Sequence, residues 1–344
     1  MTLIPESSMI RSGSSSQPSP KSPDGNRRWA VILAGGDGTR LQELTQFLYG
    51  QKRPKQFCAL VDDQTLLAHT RRRAAACVPP SQTLFALSEA HRRFFETELV
   101  GLESQRVVQP ENRGTAPPIL YCLKSIAAMD PEASISVLPS DHHYRDEGAF
   151  QKALESAFAA SEVHPDSLIL LGAYADRLEL EFGWIELGPL LDSAHPAIRQ
   201  VRAFREKPSP AVAARLLNAG SVWNTFVMVG KAKAFLDQAQ STVPHLMQRL
   251  DSIPLWNHSE VRIAVESFDR VPQCDFSREV LSGDCSRLLV QYQSDLGWSD
   301  LGQPARVFAA LRESTSAFCP IQANVATGEA AEELLSSSPY FFMR

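Results

Sequence analysis

At 344 residues, 44% hydrophobic and 21% charged, the chain is long enough for one large α/β domain, or one domain with a modest appendage, and reads as an ordinary soluble globule. The net charge of -5 gives no electrostatic case for nucleic acid as the main partner, and no apolar run approaches a membrane span. The six cysteines (Cys58, Cys77, Cys122, Cys274, Cys285 and Cys319) are scattered without CxxC spacing, which argues against a zinc site or disulfide framework and fits a reducing cytoplasm.

Residues 1–27 are rich in Ser, Pro and Gly and carry no apolar signal-peptide core, so they read as a disordered tail. From Trp29 short apolar runs alternate with helical stretches. "WAVILAG", "TLFALS", "RVVQP", "ISVLPSD" and "SLILLG" read as successive strands, and Val31-Ile32-Leu33 is apolar on consecutive positions, as strands covered on both faces should be. Between them, "TAPPILYCLKSIAAM" predicts a helix with Thr115 as its N-cap and prolines where the first turn tolerates them. "EGAFQKALESAFAASEV" predicts another. This βαβα order argues for a doubly wound, mostly parallel sheet of Rossmann-like type.

Beyond Gly172 the texture changes. "FGWIELG", "VRAFREKP" and "VWNTFVMVG" read as strands of a mixed sheet extension, interleaved with the helices "PSPAVAARLLNA" and "KAKAFLDQAQ". The domain is expected over 28–311, followed by a C-terminal tail, 312–344, to which the pattern assigns no structure.

"LAGGDGTRL", residues 33–41, places a glycine turn after the first strand, at the carboxyl edge where such sheets bind ligands. Glycines let backbone N–H groups approach a phosphate, and Arg40, Lys52, Arg53 and Lys55 add cationic charge. A tight β-to-α turn followed by a solvated basic loop would look the same. The turn is neither a GxxxxGK[ST] P-loop nor a GxGxxG dinucleotide turn, because "GGDGTR" lacks the third glycine.

"LAGGDGTRL" followed by "RPKQF" resembles the signature of sugar-1-phosphate nucleotidyltransferases, and Gln56 with Phe57 after Pro54-Lys55 resembles mannose-1-phosphate guanylyltransferases in particular. The likeness runs from about Trp29 to Gln303. It continues in order through "QPENRGTAP" (109–117), "LPSDH" (138–142), "FGWIELG" (182–188), "FREKPS" (204–209), "VWNTF" (222–226) and "GWSDLG" (297–302). The chain departs from the family in several places. Glu43-Leu44 stand where a Pro–Leu pair is usual, "TQFLYGQKR" is inserted before Pro54, "GRNTAP" becomes "NRGTAP", and "WNSGMF" becomes "WNTFVM".

The resemblance implies that a mannose 1-phosphate oxygen attacks the α-phosphorus of GTP, giving GDP-mannose and pyrophosphate, with Mg2+ as cofactor. Two highly anionic reactants must meet, so positioning and charge neutralisation carry the chemistry. Magnesium is a hard cation suited to one or two carboxylates plus phosphate oxygens. Alone, an aspartate after a strand reads as a turn or helix cap; with both motifs matched, Asp141 and Asp300 are the implied metal ligands. His142 and His143 invite a metal reading, but this metal prefers oxygen, so packing or supporting roles fit them better.

The implied nucleotide-binding residues are Leu33, Ala34, Gly35, Gly36, Gly38, Thr39, Arg40 and Lys55 on the phosphates, with Gln109, Asn112, Gly114 and Thr115 on the base. Gly183, Glu186, Lys207 and Asn224 are implied on the sugar phosphate, Lys207 holding its phosphate; Arg40, Lys55, Asp141, Lys207 and Asp300 form the catalytic set. Trp184 and Trp223 are expected to pack beside the pocket, and Asp275 to serve a turn. The runner-up readings are a transferase for another sugar phosphate or base, and a catalytically silent sugar-nucleotide-binding regulator. No cupin-like isomerase domain is recognised, so transferase activity alone is expected, in the cytoplasm, with a homodimer as the assembly to test.

Overall fold

Trp29, Ala30, Val31 and Ile32 are all buried, yet they enter two different cores in alternation: Trp29 and Val31 on one face of the sheet, Ala30 and Ile32 on the other. Leu84 to Leu87 and Leu168 to Leu171 do the same. Period-2 side-chain alternation with both faces covered therefore explains the unbroken apolar runs. The computed structural model describes residues 27–191, 197–293 and 296–313. The expected tails 1–27 (apart from Arg27) and 312–344 (apart from Arg312 and Glu313) lie outside these residues, as does Cys319.

The strands are β1 (Arg28–Leu33), β2 (Thr83–Ser88), β3 (Arg106–Gln109), β4 (Ser134–Pro139), β5 (His143–Tyr144) and β6 (Leu168–Tyr174). They continue as β7 (Gly183–Leu190), β8 (Ile198–Glu206), β9 (Val222–Lys231), β10 (Val261–Arg262), β11 (Leu288–Gln293) and β12 (Trp298–Ser299). Ten of them form one sheet in the order β10-β3-β2-β1-β4-β9-β6-β11-β8-β7. From β10 to β4 every pairing is parallel. β9 then enters antiparallel between β4 and β6, and β8 and β7 extend the far edge antiparallel. The parallel half and the mixed extension are thus one continuous sheet. Sequence reading missed β11, although Leu288-Leu289-Val290 is a short apolar run of the kind used for the other strands.

Helices Ala116–Met129, Ala232–Thr242 and Pro244–Leu250 cover one face; Leu66–Ala75, Arg92–Glu98 and Glu147–Val163 cover the other. Among the described residues no helix is long and apolar enough to cross a membrane. The segment that departs from the family after Leu41 folds as helix Gln42–Tyr49, whose Leu44 packs in a separate small core with Leu301, Val307 and Leu311. Helix Pro304–Glu313 is thereby anchored beside the glycine turn.

β1 lies between β2 and β4: the chain runs outward from β1 through β2 to β3 on one side and crosses back to β4 on the other. The crevice beyond the carboxyl ends of β1 and β4 is the switch point where open α/β sheets bind ligands.

Candidate active site

The glycine turn leaves β1 at Leu33 and is clamped from the side. Gln56 Nε2 donates to the carbonyls of Ala34 (3.1 Å) and Gly36 (2.8 Å), and Phe57 is buried against Phe94. Gly38 has φ +59°, and a Cβ there would stand 3.1 Å from the Lys55 nitrogen, so the close approach of the two segments requires glycine. "PKQF" therefore shapes the turn through Gln56 and its core anchor Phe57, and sends Lys55 inward. Of the four cations expected here, Arg40 and Lys55 face the crevice. Arg53 lies over the Tyr49 and Phe94 rings, and Lys52 is exposed.

Two carboxylates far apart in sequence meet through a small ribbon. β5 and β12 pair antiparallel, Trp298 with Tyr144 and Ser299 with His143. Continuing that register sets His142 opposite Asp300, with Asp141 one residue further on. Buried Lys55 joins them: its Nζ lies 3.2 Å from Asp141 Oδ2 and donates to the Asp300 carbonyl oxygen. Asp300 is 7% exposed. Its Oδ1 accepts the Gly302 N–H (2.9 Å) and pairs with Arg306, while its Oδ2 lies 3.7 Å from Arg40. A Cβ on Gly302 would stand 2.9 Å from Arg40 Nη2 and closer still to Asp300, which explains the glycine closing "GWSDLG". Burial alone would raise the Asp300 carboxyl, but the charges of Arg306 and Lys55 and the Gly302 N–H outweigh it and hold it below the usual carboxylate range.

His142 lines the same cavity, its Nδ1 accepting the Trp298 indole N–H at 3.2 Å, while His143 belongs to the ribbon. Burial pushes both imidazoles down, His143 to about 4. Both are therefore uncharged supports at neutral pH.

A cavity of about 270 Å³, the main one of this crevice, lies between the ends of β1 and β4 and the start of β7. Leu33, Gly36, Thr115, Asp141 and Asp300 line it, as do Gly183, Lys207 and Asn224. A smaller cavity of about 180 Å³ shares Leu33, Gly36 and Thr115 with it and adds Gly35, Gln109, Asn112 and Gly114. Ala34 is buried behind the turn, donating its N–H to the Ala86 carbonyl. Thr39 follows Gly38 in a short 3-10 turn whose Arg40 is half exposed and 3.0 Å from Glu181.

Gln109 is 2% exposed, and its Oε1, buried beside the smaller cavity, has no hydrogen-bond partner among the described residues. Gly114 has φ +87°, and a Cβ there would fall 2.3 Å from the Cys274 carbonyl oxygen. The "NRGTAP" variant puts glycine where this close left-handed turn needs it. Thr115 stands at the N-cap position of its helix, but its hydroxyl does not cap the helix. It accepts the Phe276 N–H (2.8 Å) and lies 3.5 Å from Asp275 Oδ2, stapling two loops together. Asp275 does cap its own turn, accepting the Arg278 N–H (2.9 Å), and also lines the main cavity.

Of the residues expected on the sugar phosphate, Glu186 is not among those lining the cavity; its carboxylate lies 3.4 Å from Arg205. Glu206, which sequence reasoning passed over, does line it. Its neighbour Lys207 has φ +46° and donates its N–H to the Phe182 carbonyl (3.1 Å). That left-handed step interrupts the strand alternation, so two consecutive residues face one cavity. Burial pushes the Glu206 carboxyl up to about 7, with the charge of Asp275 adding to it. Phe226 holds φ +62° at the position of the glycine in "WNSGMF", with the Asn224 side chain accepting its N–H at 3.1 Å. Trp184 and Trp223 are buried against each other and Trp223 against Phe182, off the main cavity, whereas Trp298 forms part of its wall. Glu206, Glu179, Glu181 and Arg306 were missed because their roles depend on the ribbon and on the loop before β7.

The arrangement can hold a nucleotide base in the smaller cavity, phosphates along the glycine turn, and a sugar phosphate against Lys207, with two carboxylates in the wall of the larger cavity. A profile of the nucleotidyl transferase family matches residues 29–316. The xanthan biosynthesis protein XanB of Xanthomonas campestris pv. campestris (strain B100) is 29% identical over 281 residues, covering 79% of this chain and 57% of that protein. The mannose-1-phosphate guanylyltransferase of Escherichia coli (strain K12) is 27% identical over 291 residues, covering 80% and 58%. The chain therefore spans a little over half the length of these curated relatives. The crystal structure of a mannose-1-phosphate geranyltransferase from Thermus thermophilus superposes with a TM-score of 0.69 at 28% identity, covering 82% of this chain and 79% of that one.

Proposed function

The chain belongs to the nucleotidyl transferase family, and from that premise we propose that it transfers the guanylyl group of GTP to α-D-mannose 1-phosphate. A phosphate oxygen of the sugar phosphate forms a bond to the α-phosphorus, the bond from that phosphorus to the oxygen bridging to the β-phosphate breaks, and pyrophosphate leaves. GDP-mannose is the product. The relatives and the superposed crystal structure named for mannose 1-phosphate chemistry support the substrate assignment.

The observation that carries the reading is the convergence of Asp141 and Asp300 on Lys55 in the wall of the larger cavity. Backbone N–H groups of the glycine turn, with Arg40 and Lys55, would neutralise the triphosphate and the departing pyrophosphate, as anion sites at such turns do. Before nucleotide arrives, Arg40 is held by Glu181 and Lys55 by Asp141, so both cations are kept in place. Lys207 would hold the sugar phosphate; Glu206 and Asn224 offer an acceptor and an amide to the hydroxyls. Gln109 presents an unpartnered buried oxygen to the base.

Asp141 and Asp300 fit a magnesium ion. They are hard oxygen donors facing one cavity, and among the described residues no group of three or more His, Cys, Asp and Glu side chains could form a protein-only cage. Magnesium characteristically takes one or two carboxylates and completes its shell with phosphate oxygens and water. When bound, it would supply charge stabilisation for the phosphates; Asp141 and Asp300 would hold it.

The test is pyrophosphate release across a matrix of nucleoside triphosphates and hexose 1-phosphates. GTP with mannose 1-phosphate should be the preferred pair. Equal use of ATP or UTP would overturn the guanylyl assignment, and no release from any pair would overturn the transferase reading.

A further inference from the structure

Arg306 reaches Asp300 from helix Pro304–Glu313, and its ion pairs run to Asp300 and Glu179. Its Nη1 pairs with Asp300 Oδ1 and its Nη2 lies 2.7 Å from Glu179 Oε2. Its guanidinium carbon sits 4.5 Å from the centre of the Phe182 ring. All three charged side chains are close to fully buried, at 10 to 13% exposure. The exposed pair beside it, Arg40 with Glu181, is about half open to solvent and can exchange its carboxylate for phosphate. The Arg306 pair cannot do so without leaving Glu179 buried and uncompensated, which is strongly unfavourable.

The segment it grips continues into the sugar-side wall. The Glu179 carbonyl accepts the Trp184 indole N–H at 2.8 Å. Phe182 packs on Trp298 at 4.9 Å, and its carbonyl holds the left-handed Lys207 through the 3.1 Å hydrogen bond. One guanidinium therefore joins Asp300 on the nucleotide side to the backbone that aims Lys207. A guanidinium fork can serve two carboxylates and a ring face at once; an ammonium, a compact point charge, cannot reproduce that geometry.

We infer that Arg306 is a positioning residue that keeps the sugar-phosphate wall in register with Asp300. The inference rests on the transferase reading for its kinetic consequence and on the geometry alone for its structural one. Two variants test it: Arg306→Lys, which keeps the charge, and Arg306→Met, which keeps an apolar stem over Phe182. Both should raise the KM for mannose 1-phosphate at least about tenfold while the KM for GTP changes less than about threefold. In the substrate-free protein both should speed amide hydrogen exchange in the segment 179–184 and at Lys207 relative to β1.

Wild-type exchange rates and an unchanged sugar-phosphate KM in the Lys variant would overturn the inference, because charge alone would then suffice. A parallel rise in both KM values with faster exchange throughout β1 would also overturn it, showing a general loss of structure. If the wild-type protein turns over no substrate pair, the transferase reading fails, and the exchange measurement still decides the role of Arg306.

Discussion

Gln109→Leu tests the base assignment at its most specific point. The change keeps a side chain of similar size in a position that is 2% exposed, and removes the buried Oε1 that has no partner among the described residues. Guanine offers N1–H and N2–H₂ donors on its pairing edge; adenine offers an N6 donor and an N1 acceptor. An oxygen satisfied by guanine and left unsatisfied by adenine is worth about 1–3 kcal/mol. At about 1.4 kcal/mol per factor of ten, this corresponds to roughly a five- to 150-fold preference. We therefore expect wild-type protein to favour GTP over ATP by at least about fivefold in kcat/KM. Gln109→Leu should lose most of that margin through GTP, leave kcat/KM for ATP nearly unchanged, and keep its metal dependence. The assay is steady-state pyrophosphate release with each nucleotide varied at saturating mannose 1-phosphate. A Leu variant with the wild-type GTP:ATP ratio would refute the reasoning.

The remaining predictions concern charge. Asp141→Asn and Asp300→Asn should retain a cooperative melt yet lose at least about a hundredfold in magnesium-dependent turnover, the scale of removing an electrostatic stabiliser; near-normal turnover in both would end the two-carboxylate assignment. Lys207→Ala should raise the KM for mannose 1-phosphate far more than that for GTP, and Arg40→Ala the reverse, so like behaviour of the two would show the substrate sides to be misassigned. Glu206 should be protonated below pH 7 and ionised above it, since burial lifts its carboxyl to about 7 from an ordinary 4.5. Between those values the folded chain binds the extra proton, so this group's contribution to stability falls as pH rises through that window. Glu206→Gln should flatten that part of the melting-temperature profile, and an unchanged slope would count against the shift.

The β1 to β4 strands, their helices and the glycine turn were legible because local pattern carries them. An apolar run covered on both faces has one consistent reading, and a turn that brings Gly38 against Lys55 needs residues a chain displays openly. The order of motifs also pointed to Asp141, Asp300, Lys207 and Gln109. Tertiary structure decided the rest, because it depends on pairings between distant segments. The β5–β12 ribbon, only two residues on each strand, sets Asp141 beside Asp300 and has no periodicity long enough to read. The left-handed Lys207 turns Glu206 into the cavity, while Glu186, which the motif favoured, pairs with Arg205 instead. Gln56, which the sequence offered only as a point of family resemblance, is a clamp on the glycine turn. Arg306 carried no motif at all. Its importance comes from burial between two carboxylates that lie 6 and 127 residues away along the chain, and only the fold brings the more distant one within reach.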